Sequence, residues 1–362
     1  MQPACRYLPS VTSPACPHRP HRQATRLAEE PFQALPTRFS AAPMAGITDQ
    51  AFRLVLRLVF KGLIFSEMVS ATGVYYNPQR QARYIRFSSL ERPIALQLFG
   101  KTPGHFYHAA RRLNSPAPDV LDINMGCPAR KVRTSGSGSA LLANSALARD
   151  IVAAAVAGFD GPVSVKIRIL DAENTDKTLR FIDNLADLGV SFVTVHLRTA
   201  TQLFHGTPDY AAFAPMFAYN RLPLVINGGI SSMEQVRGLQ ALGARWFMLG
   251  HAMLGRPWVF QRLTTQEPAA SVYAENWRLL VDMYPFLAEE GPRVASIPAI
   301  HLRLLAHIKG AHMVKEFRKH FNWYCRGTEG ARDLRNRVNH IEDAGAMHAI
   351  TRETFCQWQP RS

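Results

Sequence analysis

Long apolar runs are missing from this chain. Nowhere do the ~18 consecutive apolar residues of a membrane-spanning helix occur, so no membrane partner is expected. Cysteine is scarce: Cys5, Cys16, Cys127, Cys325 and Cys356 form no CxxC pair and no Cys/His spacing suited to a metal. Neither a disulfide framework nor a metal site is therefore expected, and isolated thiols suit a reducing, cytoplasmic setting. Acids are few, 27 Asp and Glu against 42 Lys and Arg, for a net charge of +15. Such an excess attracts nucleic acid or an acidic membrane surface without specifying a fold. The first 28 residues hold Arg6, Arg19, Arg22 and Arg26, five prolines and no acid. They lack the apolar core of a secretory signal, and 1–36 reads as a disordered N-terminal tail.

From residue 37 onward, short apolar runs alternate with longer amphipathic ones. Strands are expected at 39–45, 62–67, 93–99, 119–125, 162–168, 190–196, 222–228 and 244–250. Helices such as 48–60 and 174–189 lie between them, the second with Thr175 or Asp176 as N-cap and Gly189 as C-cap. Eight β-then-α units without a hairpin signal predict an α/β fold, a TIM (β/α)8 barrel over 37–263. The alternative is a doubly wound open sheet. It usually opens on GxGxxG after its first strand, where this chain reads PMAGITD. Residues 264–271 read as a linker, 272–345 as a small all-α helical domain, and 346–362 as a C-terminal tail. Within the helical part, His301 to His340 carries nine Lys or Arg against three acids.

Active sites of such barrels sit where the C-terminal ends of the strands meet. Here those ends carry Pro43-Met44-Ala45, Glu67, Gln97, Asn124, Lys166 with Arg168, His196 with Arg198, and Asn227. Asn227-Gly228-Gly229 and Gly250-His251-Ala252 close the last two strands. Their glycines let backbone N–H groups approach a phosphate. An aromatic cofactor ring could lie on the small apolar shelf Pro43-Met44-Ala45, with Gln97, Asn124, Lys166 and His196 at its edge. A lysine there suits the pyrimidine end of a flavin. Lys166 also admits a second reading, as the Schiff-base lysine of an aldolase. Cys127, between Gly126 and Pro128, is held at the mouth. It is a general acid if protonated, or a thiolate if Arg130, Lys131 and Arg133 dominate. The stretch SGSGS (135–139) reads as a mobile loop able to close over substrate.

Taken together, the segments APMAGITD (42–49), SEMVSA (66–71), ALQLFG (95–100), DINMGCPARKV (122–132), GSALL (138–142), VSVKIR (163–168), TVHLRT (194–199), NGGI (227–230) and GHAMLGRPWVF (250–260) resemble the flavin-dependent tRNA-dihydrouridine synthases. The resemblance implies FMN in the barrel, NADPH as the nicotinamide reductant, and tRNA as substrate, with hydride delivered to C6 of a flipped-out uracil. Cys127 would protonate C5. Pro43, Met44, Ala45, Gln97, Lys166, His196, Asn227, Gly228, Gly229, Gly250 and His251 would contact the flavin. Glu67, Asn124, Arg168 and Arg198 would lie near the uracil. Arg318, Lys319, Arg335 and Arg337, in a basic cluster with Arg303, Lys309, Lys315 and Arg332, would bind tRNA. Three positions depart from the family pattern: His251 stands for an arginine, Leu197 for a glycine and Gly229 for an acid. Two other functions fit the residues: an FMN-dependent barrel oxidoreductase acting on a small pyrimidine or enone, and a non-catalytic tRNA-binding protein.

Overall fold

Eight parallel strands close into a barrel in chain order: β1 (Phe39–Ala41), β2 (Leu63–Ser70), β3 (Ile94–Phe99), β4 (Val120–Met125), β5 (Val163–Arg168), β6 (Phe192–His196), β7 (Leu224–Asn227) and β8 (Trp246–Leu249). The computed structural model describes residues 35–263 and 269–356. The expected strands are all there, with β1 ending early at Ala41 and β2 continuing to Ser70. Residues 1–34 of the expected tail and 264–268 of the expected linker lie outside the described residues.

Successive side chains on a strand point to opposite faces, and this alternation sorts the sequence. Ile64, Leu96, Ile123, Val165, Val195 and Ile226 pack in the large core beneath the surrounding helices. Residues of the other parity turn inward. Leu63, Phe65, Ala95, Val120, Phe192, Val225 and Met248 form an inner cluster that plugs the barrel floor. Above it the inward positions become polar.

The helix Gln50–Val59 follows β1. Asp49 caps it, accepting from the Phe52 N–H at 3.0 Å. Phe52 and Leu56 belong to the barrel core, whereas Leu54, Val55 and Leu58 belong to a second core. That second core is built by the helices Ala269–Met283, Ile297–Lys309, Val314–Tyr324 and Ala331–Asn339. It extends further than the expected 272–345. Residues Ala344–Phe355 form another helix, capped by Asp343, whose Met347, Ile350 and Phe355 are buried in the same core. A free tail from 346 is therefore corrected for its first ten residues.

Polar contacts also tie the helical part to the barrel. Lys309 pairs with Asp49 at 2.6 Å, Asn276 donates to the Arg57 carbonyl at 2.6 Å, and Lys319 donates to the Gly46 carbonyl. Beneath lies a fully buried carboxylate. Glu91 accepts from Arg53 at 2.6 Å, Gln50 at 2.8 Å and the Ser88 N–H at 2.6 Å. Among the described residues no helix is long and apolar enough to cross a membrane. Among them, too, no cluster of three or more His, Cys, Asp or Glu is arranged to hold a metal.

Candidate active site

The polar inward residues meet at the C-terminal mouth in two linked chains of hydrogen bonds. In the first, Gln97 donates through Nε2 to Asp122 at 2.6 Å and accepts at Oε1 from Asn124 at 2.8 Å. Ser164 also donates to Asp122. Burial pushes the Asp122 carboxyl up to about 7, against the pull of Ser164 and Gln97. In the second, Lys166 Nζ donates to Asn227 Oδ1 at 3.0 Å, and Asn227 Nδ2 donates to the Met248 carbonyl at 2.8 Å. Burial, then the neighbouring Arg168, brings the Lys166 ammonium down to about 8.

His196 ends β6 beside this pair. Burial and the charges of Lys166 and Arg168 hold its imidazolium far below the usual range, so the ring is neutral at physiological pH. Its Nδ1 is buried with no hydrogen-bond partner among the described residues. An unsatisfied buried nitrogen costs ~1–3 kcal/mol, which a bound ligand group would relieve. Gly228 lies against it with φ +117°; a Cβ there would stand 3.4 Å from His196 Cε1. A side chain at 228 would thus crowd the ring.

Cys127 is positioned by its backbone. Asn124 Oδ1 accepts from the Cys127 N–H at 2.9 Å and from Gly126 at 3.2 Å. The Cys127 carbonyl accepts from Ser139 at 3.0 Å. Gly138, at φ +60°, packs so closely that a Cβ would meet the Cys127 carbonyl at 2.8 Å. The expected mobile loop is therefore a fixed bed, with Ser137 and Ser139 buried. Lys166 and Arg168 both act electrostatically with the half-buried Cys127. Arg130, Lys131 and Arg133 ride on the exposed face of a short helix.

Arg168 and Arg198 brace loops. Arg168 donates to the carbonyls of Gly126 (2.9 Å), Thr199 (3.0 Å) and Leu203 (2.7 Å). Burial lowers it only to about 10, so it stays charged. Arg198 donates to the His205 and Gly206 carbonyls. Between them stands Phe204, which sequence reasoning passed over. Its ring lies 4.7 Å from that of His251 and 6.2 Å from that of His196, with the Arg168 guanidinium 5.3 Å above it.

On the opposite rim Pro43, Met44 and Ala45 follow β1, and the Gly46 N–H donates to Glu67. An irregularity in β2 between Phe65 and Met68 falls at Glu67. Burial raises the Glu67 carboxyl above its ordinary range, opposed by the Gly46 hydrogen bond. At the glycine corner Gly228 and Gly229 both have positive φ, and Gly250 packs beside Ala42. His251 is exposed, with Arg198 and Arg326 as the cations acting on it. Arg326, from the helical part, was another residue the sequence did not single out. Two departures from the family pattern have local causes. Leu197 fills the barrel core. Tyr210, donating to the Gly228 carbonyl at 3.0 Å, occupies the space a side chain at 229 would need.

The basic cluster is largely committed within the protein. Arg303 pairs with Glu289 and Glu290, Lys309 with Asp49 and Glu316, and Lys315 with Glu342. Arg318 donates to the Ile341 carbonyl at 2.7 Å and Lys319 to Gly46. Arg332 and Arg337 are exposed on Ala331–Asn339, and Arg335 is half-buried there.

Comparison with known proteins bears on the whole of this architecture. The family described as Dihydrouridine synthase (Dus) matches residues 40–358. A tRNA-dihydrouridine synthase B of Pseudomonas aeruginosa is 32% identical over 90% of this chain and 95% of its own length. That of Pseudomonas syringae pv. tomato is 35% identical over 87% and 90%. A probable tRNA-dihydrouridine synthase 1 of Synechocystis sp. is 31% identical over 89% of each chain. The matched span takes in the barrel from Ser40 onward, the helical part and every strand-end residue, and the chain belongs to the dihydrouridine synthase family.

Proposed function

We propose that this chain reduces uridine to dihydrouridine in tRNA, with FMN reduced by NADPH and with Cys127 as general acid. The observation that carries this is the convergence of Lys166, Asn227, neutral His196 and Cys127 at one barrel mouth. The buried, unpartnered His196 Nδ1 and the glycine cradle beside it suit a flat heteroaromatic ring with a phosphate tail. Hydride for C6 of the uracil is the chemistry that the reduced flavin supplies.

Lys166, its aim fixed by Asn227, would hold the pyrimidine edge of the ring. His196 would present an uncharged nitrogen to it, and Gly228, Gly229, Gly250 and His251 would hold the phosphate end, with Arg198 and Arg326 adding positive charge. Asn124 positions Cys127 through two backbone N–H groups, and the thiol delivers its proton to C5 of the extruded base. A cytoplasmic setting accords with the free thiols Cys127, Cys325 and Cys356. The decisive assay supplies purified protein with FMN, NADPH and an unmodified tRNA transcript. Nucleoside mass spectrometry should show dihydrouridine; its absence refutes the function.

Lys166 gives the site a pH signature. Its ammonium is present below about 8 and lost above it, so flavin affinity is expected to fall as pH rises through that value. The fall should reach up to ~10-fold per pH unit. Flavin-fluorescence titration measures it, and Lys166→Met should flatten the profile. A wild-type affinity unchanged on both sides of pH 8 removes Lys166 from the flavin site.

Arg335 and Arg337 are proposed phosphate contacts. Reversing both to glutamate is expected to weaken tRNA binding and lower the slope of log K against log salt by ~1–2. Wild-type affinity and slope would move the RNA surface elsewhere.

A further inference from the structure

Tyr75 and Tyr76 are 44% and 72% exposed, side by side on the barrel rim. They are held as a stack. Tyr75 lies on His105 at 4.5 Å with 21° between the planes, and stands 5.2 Å from His108. Tyr76 meets Tyr75 edge-on at 4.8 Å and His105 at 5.3 Å. Thr72 Oγ1 fixes the His105 ring through Nδ1 at 3.0 Å. The tyrosines sit on the helix Ala71–Tyr76, directly after β2. The histidines sit near the start of Pro103–Leu113, after β3. Both elements leave the barrel at the mouth, where Glu67 and Gln97 also stand. Lys101, at the start of the second connection, lies against Gly136 in the bed of Cys127: a Cβ on Gly136 would be 3.2 Å from Lys101 Cδ.

The stretch of chain that carries these rings is rich in cations. From Met68 to Pro118 the chain has seven Lys or Arg and a single acid, Glu91. Glu91 is fully buried and bound to Arg53, so no carboxylate of this stretch reaches the surface. A second copy of a chain with net charge +15 would bring like charge to this face. A polyanion carrying flat aromatic groups satisfies both the charge and the rings.

We propose that Tyr75, Tyr76 and His105 form a stacking platform for an unpaired nucleobase of the RNA substrate. This rests on the reading of RNA as substrate. The platform takes a base other than the one reduced, and Lys101, Arg80 and Arg83 attract the backbone around it. Because Thr72 and His108 already hold the rings, little ordering is needed on binding. Stacking a second base beside the mouth also offsets the unfavourable extrusion of the target uridine.

The test uses the full-length, flavin-loaded enzyme and an unmodified tRNA transcript. Tyr75→Ser combined with Tyr76→Ser is expected to raise Kd and KM for tRNA by ~5- to 150-fold per base released. Flavin content should match wild type and the melting temperature should fall little, since neither ring belongs to an apolar core. Tyr75→Phe with Tyr76→Phe should bind as wild type, because the ring and not the hydroxyl makes the contact. In Tyr76→Trp, tRNA should quench the new tryptophan's fluorescence while polyphosphate of equal charge does not. If wild type reduces tRNA and the serine pair leaves Kd and KM unchanged, the platform is refuted while the function stands. A serine pair that alters only the oligomeric state in sedimentation assigns the face to protein contact and also refutes it. Wild type that neither binds nor reduces tRNA overturns the platform and the function together.

Discussion

Cys127→Ala is expected to cut dihydrouridine formation by ~10²–10⁴-fold, the range of a lost general acid, while flavin binding and nicotinamide oxidation stay close to wild type. The selectivity follows from how the residue is held. Its N–H is bound by Asn124 and its carbonyl by Ser139, so the loop keeps its path when the side chain shrinks. The side chain is half-buried and outside the apolar cores, so truncation leaves little cavity. What disappears is the proposed proton source, the thiol beside Lys166 and Arg168. Single-turnover reduction of a tRNA transcript, followed by nucleoside mass spectrometry, reads the loss. Flavin absorbance and NADPH consumption under air read what persists. Wild-type product formation by the alanine variant would remove Cys127 from proton transfer.

Glu91→Ala is expected to cost ~3–5 kcal/mol of stability, because it strands a buried arginine. The Arg53 side chain is 3% exposed and its nearest carboxylate is Glu91. The same carboxylate satisfies Gln50 and the Ser88 N–H, so alanine orphans several donors at once. Glu91→Gln should cost less, since the amide oxygen retains one acceptor for this group. Chemical denaturation followed by circular dichroism measures both. A loss within ~1 kcal/mol for Glu91→Ala would mean that the site relaxes or admits water.

The period-two rule explains much of what was legible in the sequence. Gln97, Asn124, Lys166, Arg168, His196 and Asn227 share the parity that turns inward, and their strands were recognisable as apolar runs. Asp122 has the same parity two residues before Asn124, yet it was passed over. A carboxylate becomes informative only once Gln97 and Ser164 are seen to surround it. Phe204 and Arg326 reach the site from a loop and from the helical part, and no periodicity announces such long-range placement. The SGSGS stretch misled for a different reason. Its glycines report the backbone angles required, φ +78° at Gly136 and +60° at Gly138, and the composition resembles that of a flexible linker. The helix Ala344–Phe355 was missed because only three sizeable apolar residues, Met347, Ile350 and Phe355, stand among its alanines and polar groups. Charge was legible in amount but not in engagement: the acids that take up Arg303, Lys309 and Lys315 come from other turns and helices of the folded chain.

The helix Gln50–Val59 has no solvent face, because one side serves the barrel and the other serves the C-terminal helices. The two parts are therefore not separable modules. A truncation before residue 269 would leave Leu54, Val55 and Leu58 as an apolar strip on the barrel, and a transplanted C-terminal part would lack the same residues from its interior. An exchange of the C-terminal part for another would accordingly have to carry matching side chains at Leu54, Val55 and Leu58.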